Sequence, residues 1–139
     1  MEMRRFEELA RELAARDAGL AAALGKAREA AERLRSLAYE RLEAFKAAAR
    51  EADAEHLAQL AVGDVEPDEK HIDCIQFRVS RGHWELVCVA KADGKVTLVG
   101  PFRRGKPEKP CADHPLQGEE VEGAFEDLLV RLIRTASQR

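Results

Sequence analysis

A chain of 139 residues holds one domain with a modest core and leaves no room for a second catalytic domain among them. Apolar residues make up 45% and charged residues 35%, a globular composition leaning towards charged helix that excludes a disordered chain. The net charge of −3 hides a segregation, because residues 71–110 carry eight basic side chains against four acidic ones while the flanks are acidic or neutral.

The opening stretch, MEMRRFEELARELAARDAG, is charged throughout and has neither the apolar centre of a secretory signal nor the acid-poor profile of a transit peptide. No window approaches the roughly eighteen consecutive apolar residues of a membrane span. Three cysteines fit a reducing compartment better than a disulfide framework. The expectation is a cytoplasmic protein.

From Met3 to about Leu60 there is no proline, and Ala, Leu, Glu, Arg and Lys dominate, all strong helix formers. Phe6, Leu13, Leu20, Ala27 and Leu34 recur every seven residues. Ala10, Leu24, Ala31, Ala38 and Phe45 fill a second row, with Asp17 as its one polar member. The pattern predicts a heptad seam over residues 1–62, either one helix about 75 Å long or a hairpin broken at Gly19 and Gly25. The phase passes both glycines without a skip, which favours one helix.

The acidic connector 63–68 ends the helical region at Pro67. Beyond it the period changes to two, and residues 72–80, 83–91 and 95–99 read as an antiparallel three-stranded meander with turns at Arg81-Gly82 and Asp93-Gly94. Two-residue turns would set Phe77 opposite Leu86, Arg78 opposite Glu85 and Cys88 opposite Val99. One sheet face would then hold Ile75, Phe77, Val79, Trp84, Leu86, Cys88, Ala90 and Val99 as core. The other face, with Ile72, Cys74, Val87, Val89, Val96 and Leu98 beside polar residues, would be half apolar. It would call for the N-terminal helix or a second copy as cover.

Residues 100–117 read as a Pro- and Lys-rich loop. From 119 to 136, Val121, Ala124, Phe125, Leu128, Leu129, Leu132, Ile133 and Ala136 lie at helical spacing, with Glu119, Glu120 and Glu122 in the first turn and Arg131 and Arg134 near the end, as the helix dipole favours. The expected fold is α+β: a helical association region at 1–62 and a βββα unit at 63–139.

Four sets of residues are candidates for chemistry. His71 and Cys74, mirrored by Cys111 and His114, have the two-residue gaps of zinc ligand pairs, although Cys74 inside a strand diverges from a residue three positions away. Arg78, Arg103, Arg104, Lys106 and Lys109 form a basic cluster suited to phosphates, nucleic acid included, but the chain as a whole is acidic and poor in free aromatic residues. Catalytic signatures such as G-x-S-x-G, GxxxxGK[ST], H-E-x-x-H and G-x-G-x-x-G are absent, so no enzyme is expected. The seam of Phe6, Leu13, Leu20, Leu24, Leu34 and Phe45 is the most specific feature. A helix of some fifty residues has more apolar stripe than strands of eight residues can cover. The leading expectation is therefore a non-enzymatic assembly module, most simply a homodimer or a partner of another helical protein, without a cofactor. Ligand binding through the basic loop or a zinc site is the alternative.

Overall fold

The computed structural model describes residues 2–68, 71 and 73–138. Glu2–Glu51 form one continuous helix, α1, of 50 residues. Gly19 and Gly25 sit within it, so the hairpin alternative does not occur. At each glycine the space a side chain would fill is open.

A single 3₁₀ turn at Glu55–Ala58 reverses the chain after α1. Two short strands follow, β1 (Ala61–Val62) and β2 (Glu66–Pro67), and then the meander of β3 (Cys74–Arg81), β4 (Trp84–Lys91) and β5 (Lys95–Arg103). A sixth strand, β6 (Cys111–Pro115), precedes the C-terminal helix α2 (Glu119–Ser137). The fold is α+β as expected, but among the described residues the sheet has six strands where the period-two pattern indicated three. They are ordered β1-β3-β4-β5-β6, with β2 also on β3.

The extra strands come from segments that resemble loop. Residues 61–67 pair with β3 in two-residue pieces, Ala61 opposite Ser80 and Glu66 opposite Gln76. The segment CADHP pairs along β5 from Val99 opposite Cys111 to Lys95 opposite Pro115. Both edges are short and contain proline, which keeps an outer strand from recruiting another. Ile72, assigned to the start of the first predicted strand, lies outside the described residues.

Both hairpin registers differ from those expected. At the first turn Gly82 and His83 are the central pair, Arg81 stands opposite Trp84, and Phe77 therefore meets Cys88 in place of Leu86. Gly82 has φ 59°, and a positive φ at the first central position is what a type II′ hairpin requires. At the second turn Asp93-Gly94 belongs to a three-residue loop, with Gly94 at φ 92° donating its N–H to the carbonyl of Lys91. That one-residue change puts Cys88 opposite Leu98 and exchanges the faces of β5. Val96 and Leu98 become core, and Val99 turns outward to the half-buried position expected for its neighbours. The polar Thr97 between Val96 and Leu98 explains the preference, since the alternative register would bury its hydroxyl.

Both helices pack on the same sheet face. Ile75, Phe77, Val79, Leu86, Cys88, Ala90, Val96 and Leu98 meet Ala27, Ala31, Leu34, Ala38 and Leu42 of α1, and Val121, Phe125, Leu128, Leu129 and Leu132 of α2. Phe77 and Phe125 cross edge to face, with ring centroids 5.8 Å apart. Trp84, expected in the core, is only half-buried at its margin. Alanines 27, 31 and 38 let the backbone of α1 approach the sheet closely, and Arg33 and Arg35 tie it down by donating to the carbonyls of Leu116 and Gly63, each at 2.7 Å.

Four of the buried positions of α1, Ala27, Ala31, Leu34 and Ala38, lie on the heptad rows, while Ala30 beside them and the buried positions beyond Ala38 do not. Leu42 and Ala49 are buried, whereas the next position of the first row is the exposed Arg41. Ala27, Ala38 and Ala49 recur every eleven residues, the spacing of a nearly straight helix lying on a sheet.

Candidate interaction surfaces

The most distinctive surface is the N-terminal part of α1. Every described residue from Glu2 to Gly19 is exposed, and Leu20, Ala23 and Leu24 are half-buried where the sheet begins to cover the helix. Among these exposed residues are Met3 at 72%, Phe6 at 67%, Leu9 at 46% and Leu13 at 45% of full exposure. Met3, Phe6, Ala10, Leu13, Asp17 and Leu20 follow one another in alternating steps of three and four along one face, with Asp17 the one polar member, and the same steps lead on to Leu24, Ala27, Ala31 and Leu34. Of the predicted seam, Leu34 is fully buried, Leu24 and Phe45 are half-buried against the core, Leu20 is half-buried, and Phe6 and Leu13 are exposed on the same helix face beyond the reach of the sheet. Met3 and Leu9 were not among the predicted seam residues. Extending the row of Ala10 backwards by seven reaches Met3, and Leu9 flanks it.

The outer face of the sheet is the second surface. It carries Gln76, Arg78, Ser80, Val87, Val89, Thr97 and Val99, none of which belongs to the core shared by the two helices. Neither helix covers it: of the two covers expected for this face, the N-terminal helix or a second copy, α1 packs on the opposite face. At one end Glu85 is buried, its side chain 8% exposed, and accepts a 2.8 Å hydrogen bond from Nη1 of Arg78 while Nε of Arg104 lies 3.6 Å away. Arg78 stands opposite Val87, not Glu85, and reaches the carboxylate on the diagonal. Close by, β5 bulges at Gly100, where a side chain would come within 2.9 Å of the Glu85 carbonyl.

This arrangement divides the predicted phosphate contacts. Arg78 and Arg104 are committed to Glu85, and the ammonium of Lys109 lies 5.4 Å from the centre of the Phe102 ring. Arg103 stands opposite Trp84 and borders two grooves, one with Arg81, His83 and His56 at the end of the sheet and one shared with Lys106 beside Phe102. Lys106 sits in the exposed loop beyond β5. The five side chains do not converge on one site.

The His71, Cys74, Cys111 and His114 set is likewise dispersed. Cys74 begins β3 and Cys111 begins β6, with β4 and β5 between them, a separation of about 14 Å at the usual strand spacing. His114 pairs with Val96 on the core face, whereas Cys111 pairs with Val99 on the outer one. Nδ1 of His71 lies 3.0 Å from a carboxylate oxygen of Asp68, and Nδ1 of His114 lies 3.6 Å from Oε1 of Glu120. No cluster of three metal-ligating side chains occurs among the described residues.

The three thiols differ by environment. Cys74 is pushed up to about 11 by burial first and then by its hydrogen bond to Asp73, burial alone raises Cys88, and Cys111 is exposed. On the outer face Thr97 donates a 2.6 Å hydrogen bond to Asp113, which holds that carboxyl below its ordinary range. Among the described residues no helix is long and apolar enough to cross a membrane. The chain matches no protein-family model, no curated protein and no solved structure.

Proposed function

We propose that this chain is a non-enzymatic assembly module that associates with itself through the N-terminal part of α1. The observation that carries the reading is the apolar stripe of Met3, Phe6, Leu9 and Leu13, exposed on a helix whose continuation buries the same stripe against the sheet. Large apolar side chains left in water along one helix face mark an interaction site. A second chain offering the same stripe satisfies it with knobs-into-holes packing. A dimer is the simplest assembly, because a two-fold interface needs only one patch.

Native mass spectrometry of the untagged protein tests this. The expected result is a dimer that becomes monomeric when Phe6 and Leu13 are both replaced by glutamate, with the melting temperature of the sheet domain kept within a few degrees. A monomeric parent protein, or a double variant of unchanged mass, overturns it.

A further inference from the structure

The structure restricts how a second copy can lie on α1, an inference that rests on the self-association reading. The exposed stripe and the buried one share a face, since the seven-residue phase runs unbroken from Met3 to Ala38. From Ala27 onward β3 and β4 of the same chain occupy that face. Packed helices lie about 8–10 Å apart, within the layer that the sheet already fills. A second α1 running parallel and in register along residues 3–20 would run into this chain's own sheet. Parallel pairing would also set Asp17 against Asp17 in the seam and Glu2 against the second copy's Glu7 beside it.

An antiparallel copy avoids the sheet and separates these like charges. We propose that residues 3–20 of α1 pair with the same segment of a second copy in antiparallel orientation, with the two-fold axis between Ala10 and Leu13. In this register Ala10 faces Leu13, a small residue against a large one at the centre, and Met3 faces Leu20. Asp17 faces Phe6 near the end of the overlap, where water reaches it, and the two Asp17 carboxylates lie about 16 Å apart along the axis. Each apolar stripe is then covered first by the second helix and farther along by its own sheet. The two sheet domains stand at opposite ends of a rod.

Size-exclusion chromatography with light scattering and small-angle X-ray scattering, on the full chain, separates the outcomes. Two 50-residue helices overlapping over about 18 residues make a particle about 120 Å long, whereas a parallel pair in register stays near about 75–80 Å. The expected result is a dimer of the greater length. A dimer of the lesser length overturns the orientation and leaves self-association standing, while a monomer overturns both. Single variants Met3→Cys and Leu20→Cys, each with Cys111→Ser to remove the exposed native thiol, give an independent reading. They should form an interchain disulfide only when mixed, and cross-linking of either one alone is the mark of a parallel pair.

Discussion

Two stretches of α1 have nearly the same composition and the same apolar spacing, and they meet opposite fates. Residues 27–49 place alanines and leucines against β3 and β4, with Leu34 wholly buried, whereas Phe6 and Leu13 on the same face stand in water. The local sequence makes both stretches helical and amphipathic. What separates them is whether a strand lies within reach, and that depends on where the chain turns back at Glu55–Ala58 and how far strands of about eight residues extend. An apolar stripe thus states how much surface seeks cover without stating which surface supplies it.

Leu34→Ala should lower unfolding stability by about 2–5 kcal/mol, because it opens a cavity beneath the sheet. Leu13→Ala, the matched change in the exposed stretch, should move the monomer's stability by no more than about 0.5 kcal/mol while weakening association. Urea unfolding of both variants at concentrations below dimer formation checks this, and equal losses would mean that the N-terminal stretch is covered within its own chain.

A second test extends the contrast between covered and uncovered surface to the sheet. With its thiol pushed up to about 11, Cys74 holds only about 0.1% thiolate at pH 8 and should react with a thiol reagent far more slowly than the exposed Cys111. Cys88, under both helices, should react only when the domain unfolds. Mass-resolved labelling over time checks the order Cys111, Cys74, Cys88, and early modification of Cys88 would show that the helical layer opens readily.

The smallest effect belongs to the uncovered face. Because the hydrogen bond from Thr97 lowers the pKa of Asp113 in the folded state, its stabilising contribution is present above the unfolded value near about pH 4 and is lost as pH falls through the folded value. Thr97→Val should raise the Asp113 pKa, as followed by NMR titration of the carboxyl, and reduce the acid sensitivity of stability below about pH 4. An unmoved titration would place the cause elsewhere on that face.

The sequence by itself determined the helix formers of α1, the continuity of its seven-residue phase, the three long strands and the amphipathic α2. Each follows from spacing within a short window, where side-chain period and backbone conformation are locked together. Tertiary structure decided what spacing leaves open. It added β6 from a segment with weak strand propensity, because the free edge of β5 supplied hydrogen-bond partners for Cys111–Pro115. It moved the Asp93-Gly94 turn by one residue, because burying Val96 and Leu98 outweighs burying Thr97 and Val99. It also scattered the histidines and cysteines that look paired in the sequence, since two intervening strands separate their elements. Only the three-dimensional arrangement shows that the sheet covers α1 from about residue 20 onward, because the reach of a cover depends on strand length and chain reversal and not on the residues that await it.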